Sequence, residues 1–124
     1  MDLINKFDES GHMMSPELPK EVRNYLIDID GTVCEDIPNE EPERMLTAKE
    51  IDGAKEAVNR FFDQGHKITF FTSRTEAHRI NTEIWLKEHG FNYHGIIFGK
   101  PRGGNYYFID DKLEKGIKFK GSFE

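Results

Sequence analysis

Asp28 and Asp30 close an apolar run, Tyr25-Leu26-Ile27-Asp28-Ile29-Asp30, and Gly31-Thr32 follow at once. Along a strand, positions i and i+2 point the same way. Both carboxylates then leave the strand end on one side, near enough to share one metal ion and one substrate. Two carboxylates that close repel each other unless a cation or a shared proton offsets the charge. The same octet also reads as a strand running into an ordinary Asp-Gly turn. The other strand ends therefore have to discriminate.

Three further apolar runs end in residues of a related kind. Phe70-Phe71 leads into Thr72-Ser73-Arg74, Ile96-Ile97-Phe98 into Gly99-Lys100-Pro101, and Tyr106 to Ile109 into Asp110-Asp111. Each has a plainer explanation alone. Ser73-x-x-Glu76 matches a capping box, Lys100 suits a solvated turn, and Asp110-Asp111 can simply end a strand. All four at strand ends, in this order, is far less expected by chance.

The elements that must position these residues alternate between strand and helix. Residues 23–29 read as a buried parallel strand. Residues 33–46, with Pro38, Pro42, Glu35, Asp36, Glu40, Glu41 and Glu43, read as an exposed loop or flap. Thr47-x-x-Glu50 predicts a capped helix start, with Ile51, Ala54, Val58, Phe61 and Phe62 at helical spacing. Gly65 ends it. Residues 67–72 read as the second strand. The second helix is expected from Thr75 to His89, with Ala77, Ile80, Ile84 and Trp85 inward and Gly90 as the stop. Residues 94–98 and 106–109 read as the third and fourth strands, and 112–124 as a lysine-rich, weakly patterned tail. Residues 1–22 read as a polar extension, either partly disordered or with a short helix around Leu3 to Phe7. The expected fold class is α/β, a Rossmann-like three-layer sandwich with a mainly parallel central sheet in a single domain over 23–124. In such sheets ligands bind beyond the carboxyl ends of the strands.

Composition narrows the partners. The 124-residue chain carries a net charge of −6, which disfavours nucleic acid and anionic membranes. No apolar run approaches the roughly 20 residues of a membrane helix, and the acidic start lacks the apolar core of a signal peptide. A single cysteine, Cys34, fits a reducing cytoplasm and reads as a small core or loop filler. His66, His89 and His94 show no metal-ligand spacing and read as structural or solvated.

With these motifs in view, residues 23–115 resemble the haloacid dehalogenase superfamily of phosphohydrolases. Asp28-Ile29-Asp30-Gly31-Thr32 matches its first motif, Phe70-Phe71-Thr72 the second, Lys100 the third and Asp110-Asp111 the fourth. Gly99-Lys100-Pro101 with Ile109-Asp110-Asp111-Lys112 is similar to small capsule- or sugar-biosynthesis phosphatases. Two features depart from the pattern: the Lys100-to-Asp110 gap is short, and about 22 residues precede the first strand.

The resemblance implies a Mg²⁺-dependent phosphomonoester hydrolase working through an aspartyl-phosphate, with Asp28 as nucleophile and Asp30 as general acid, then base. It implies Mg²⁺ ligation by Asp28, the Asp30 carbonyl and Asp110, with Asp111 either an outer partner or the true ligand. Thr72 and Lys100 would hold phosphoryl oxygens, and backbone N–H groups near Gly31 and Ser73 would add donors. Arg74, His78 and Arg102 lie near enough to touch an anionic substrate. Neither gap between motifs has room for a cap domain, so the site is expected to be open. Capless relatives tend to oligomerise, so that a neighbour closes the site, or to take large substrates. The acidic 35–43 segment favours a sugar phosphate or similar metabolite. A nucleic-acid end or phosphoprotein is the alternative substrate, and a phospho-accepting regulatory module the alternative class.

Overall fold

In the computed structural model, which describes residues 6–7, 13–14 and 17–124, the frame is a parallel sheet of three strands. Two-residue strands β1 (Lys6–Phe7) and β2 (Met13–Met14) pair antiparallel. Lys6 and Phe7 are thus extended rather than helical, and the rest of the expected helix lies outside the described residues. The sheet contains β3 (Asn24–Ile27), β4 (Lys67–Phe71) and β5 (Gly95–Ile97), in the order β3-β4-β5. Helix α1 (Ala54–Asp63) connects the first pair and α2 (Arg79–Glu88) the second.

Right-handed crossovers that step the same way along a sheet place both helices on one face. The register agrees. Tyr25 pairs with Ile68, and Ile27 with Phe70, which pairs with Ile96. These residues pack with Val58 and Phe61 of α1 and with Trp85 and Leu86 of α2. The opposite face shows Leu26 and Ile97 to solvent. The α/β, Rossmann-like class holds, with one helical layer against the sheet among the described residues.

The chain departs from the sequence expectation in three places. The first helix starts at Ala54, not at Thr47. Glu35 N donates to Lys49 O at 2.8 Å and Ile51 N to Val33 O at 3.0 Å. This extended pairing keeps residues 49–51 out of a helix, and the Thr47-Glu50 capping box does not form. Pro42–Thr47 makes a 3₁₀ helix instead, and Gly53, at φ 81°, turns the chain into α1. The 33–46 segment is consequently less open than expected, with Val33, Cys34, Ile37 and Met45 buried.

Helix α2 also turns a different face inward. Its buried residues are Thr82, Trp85 and Leu86, whereas Ile80 is 71% exposed and Ala77 and Ile84 are outward too. Trp85 Nε1 donates to Ala48 O at 2.9 Å, which fixes the helix rotation. The helix starts at Arg79, and the 3₁₀ turn Glu76–His78 before it is capped by Thr75 with His78, not by Ser73 with Glu76.

The fourth strand is not formed. Tyr106 to Ile109 has no strand partner among the described residues, and Ile109 is 98% exposed. Three consecutive residues before it, Gly103, Gly104 and Asn105, have φ of 113°, 72° and 56°. That run of left-handed backbone turns the chain away from an extended course. The outer edge of β3 therefore carries no strand among the described residues.

Candidate active site at the strand ends

The carboxyl ends of β3 and β4, and the turn after β5, bring together Asp28, Asp30, Thr72, Arg74 and Lys100. The turn after β3 is built by backbone bonds: Thr32 N and Val33 N both donate to Ile29 O, at 3.1 and 2.9 Å. Gly31 sits at φ 83°, a conformation that favours glycine. Lys100 is brought in by a second backbone bond, Lys100 N to Thr72 O at 2.9 Å.

Asp28 is the open acid, with 37% of its side chain exposed. Lys100 Nζ donates to its Oδ1 at 2.9 Å, and Thr32 Oγ1 to its Oδ2 at 3.3 Å. Lys100 is itself largely buried, its ammonium 5.7 Å from the Phe71 ring centre and 5.1 Å from that of Tyr106. Aromatic faces attract such a cation.

Asp30 has a different partner. Arg74 Nε donates to its Oδ2 at 2.9 Å and Arg74 Nη2 to its Oδ1 at 2.8 Å. This bidentate fork fixes the plane of the carboxylate as well as its place. Ile37 N adds a longer contact to Oδ1 at 3.4 Å. Arg74 is 2% exposed, so it faces Asp30 and not a substrate. Composition and spacing gave no sign of this, since an arginine after a strand end reads equally well as solvated.

The other expected contacts divide. Thr72 is fully buried and its Oγ1 accepts from Arg74 N at 3.1 Å. The Gly31 N–H already donates to Cys34 O at 2.8 Å. Ser73 Oγ donates to Pro101 O at 3.4 Å, while its carbonyl accepts from Asn39 Nδ2 at 3.1 Å. That amide ties the acidic loop to the site. His78 caps the turn after Thr75, and Arg102 is exposed. His66 Nδ1 accepts from Arg23 N, His94 Nδ1 accepts from Ile68 N, and His89 pairs with Glu50 at 2.7 Å. All three are structural. Cys34 is buried against Asp30; burial first, then the charge of Asp30, push its thiol up to about 12.

Asp110 and Asp111 do not join the strand-end acids. Asp110 Oδ1 accepts from Lys112 N at 2.7 Å, and Asp111 lies 3.9 Å from Lys112 Nζ, all within one exposed turn. Among the described residues no three His, Cys, Asp or Glu side chains converge as a metal site. The oxygens of Asp28 and Asp30 face Lys100, Thr32 and Arg74. The Mg²⁺ set expected from the sequence, Asp28 with the Asp30 carbonyl and Asp110 or Asp111, is not assembled in this arrangement, and the side chains as placed do not fit the ion.

The sequence profile of the family described as "PITM 1-3, LNS2 domain" matches residues 25–115, which run from the second residue of β3 through β5 and include every strand-end motif. The chain belongs to the LNS2 domain family. No curated protein matches it in sequence. Among solved structures, this LNS2 chain is similar to a crystallised MCSG target from Vibrio cholerae, at 20% identity and a TM-score of 0.55, over 74% of this chain and 82% of the other. It is also similar to a chain in the structure of the Pnkp1/Rnl/Hen1 complex, at 21% identity and a TM-score of 0.56. That match covers 75% of this chain but only 32% of the other. At these identities the likeness establishes the fold of the LNS2 chain.

Proposed function

We propose that this chain hydrolyses phosphate monoesters, with Asp28 as the nucleophile. What carries it is the division of the two acids between two cations, Lys100 on Asp28 and Arg74 on Asp30. Each carboxylate has its own environment, as two roles require. LNS2 membership and the resemblance of the strand-end motifs support phosphatase-type chemistry.

Asp28 attacks phosphorus, forming a carboxylate–phosphorus bond as the ester P–O bond breaks and its electron pair leaves with the alkoxide. Asp30 gives that oxygen a proton, then takes one from the water that attacks phosphorus and frees Asp28. The long contacts on Oδ1, from Ile37 N and the Cys34 thiol, are the ones that yield for this proton. Lys100 turns from Asp28 Oδ1 onto a phosphoryl oxygen and offsets its charge.

A small phosphorylated metabolite is the proposed substrate. The exposed acids Asp36, Glu40 and Glu43, on a loop tied to Ser73 by Asn39, repel a polyanion. Mg²⁺ is a separate proposal. It depends on Tyr106–Ile109 pairing along the free edge of β3, which would carry Asp110 and Asp111 toward Asp28.

The test is turnover of an aryl phosphate by wild type and Asp28→Asn, followed by a panel of sugar phosphates, a 3′-phosphorylated oligonucleotide and a phosphopeptide. Unaltered turnover in Asp28→Asn overturns the nucleophile. Preference for the oligonucleotide or peptide overturns the metabolite. A phosphoryl-enzyme that persists for minutes indicates a regulatory module. For the metal, a loss of turnover in Asp110→Asn supports the pairing, and unchanged turnover removes Asp110 from the site.

A further inference from the structure

We propose that Thr82, on the buried face of α2, positions Asp30 through Arg74. The proposal rests on the hydrolase assignment of Asp28 and Asp30. Thr82 is 1% exposed, in a core that is otherwise mostly apolar. Its Oγ1 donates to His78 O at 2.8 Å and accepts from Arg74 Nη1 at 2.9 Å. The hydroxyl has one proton. With that proton committed to the His78 carbonyl, Oγ1 presents only lone pairs to Arg74.

This polarity matters because a guanidinium donates and never accepts. Arg74 spends Nε and Nη2 on Asp30, leaving Nη1 for Thr82. Among the described residues its one other side-chain hydrogen-bond partner is the Cys34 sulfur, 3.7 Å from Nη2, a weak acceptor on the same side as Asp30. The guanidinium is rigid and planar, so a bond at Nη1 sets the rotation of the whole fork. The plane of the Asp30 carboxylate is thereby tied to α2, as well as to the turn that carries Asp30. A proton-transferring group gains rate from orientation held before the reaction, and small misplacements are costly. Thr82 touches no reacting atom; it is a positioning residue.

Thr82→Val keeps the shape and removes the acceptor, whereas Thr82→Ser keeps the acceptor. Steady-state turnover of an aryl phosphate should show kcat for Thr82→Val lowered about tenfold or more with KM unchanged within about twofold. Thr82→Ser should restore kcat. Proton NMR supplies a readout that needs no turnover: the Arg74 Nε–H signal should exchange slowly with water in wild type and Thr82→Ser, and rapidly in Thr82→Val. Should Thr82→Val not fold, Thr82→Ala removes the same acceptor without crowding. Wild-type kcat together with a protected Arg74 signal in the valine or alanine variant overturns the proposal. If wild type itself shows no turnover, the hydrolase assignment fails, and the Arg74 signal alone decides whether Thr82 positions the fork.

Discussion

Two segments of this chain share one pattern, an apolar run ending in an acid pair. Tyr25-Leu26-Ile27-Asp28-Ile29-Asp30 is built into the sheet, and Tyr106-Tyr107-Phe108-Ile109-Asp110-Asp111 is exposed and forms no regular element. The first has β4 alongside in register and a helical layer behind it. The second follows three left-handed residues and has no strand beside it among the described residues. Pattern alone does not make a strand, because an isolated extended segment has neither ladder bonds nor a buried face to offset its ordering entropy. The acids diverge accordingly: Asp28 and Asp30 are held by buried cations, whereas Asp110 and Asp111 bond within their own turn.

The largest contrast is expected in activity. Asp28→Asn should lower kcat for an aryl phosphate by about a thousandfold or more, as loss of a nucleophile does. Next comes stability. Ile29 is fully buried and Ile109 almost fully exposed. Chemical denaturation should therefore show a cost above about 4 kcal/mol for Ile29→Asp, which places a charge in the core. Ile109→Asp should cost less than about 0.5 kcal/mol; a cost near that of a core change would show that the second segment packs.

Arg74→Ala strands the largely buried Asp30 end of an ion pair, and about 3 kcal/mol should be lost in the same measurement. Gly31→Ala should cost about 1 kcal/mol, since the added Cβ meets no atom within 4 Å and only the backbone at φ 83° is strained.

The smallest effect belongs to Cys34. Folding raises its thiol from 9.0 to about 12. Its contribution is full below pH 9 and is lost as pH rises towards 12. Stability should fall by about 1 kcal/mol at pH 10 from this group, and Cys34→Ala should flatten that limb. The native thiol should also resist alkylation at pH 8, whereas the denatured one reacts.

Much of the frame was legible because period and punctuation are local. Apolar runs marked β3, β4 and β5, and Gly65 and Gly90 marked helix ends. The first helix start was not legible, since Thr47-x-x-Glu50 competes with the pairing of residues 33–35 and 49–51, distant in sequence. The inward face of α2 was misassigned because Ile80 and Ile84 are more apolar than Thr82. Trp85, bonded to Ala48, and Thr82, bonded to Arg74, decide the rotation instead. The meeting of residues 28, 30, 72 and 100 at the strand ends was legible, whereas the pairing of Arg74 with Asp30 was not.

By itself the sequence determined the α/β class, the alternation of strand and helix over 23–98 and the acids that follow the first strand of the main sheet. These follow from spacing within short windows, where side-chain direction is set by backbone period. Only the tertiary structure decided which cation meets which acid, and that Asp110 and Asp111 stand apart. Those outcomes depend on contacts between residues up to 72 positions apart, as for Lys100 and Asp28, and no local pattern encodes such a distance.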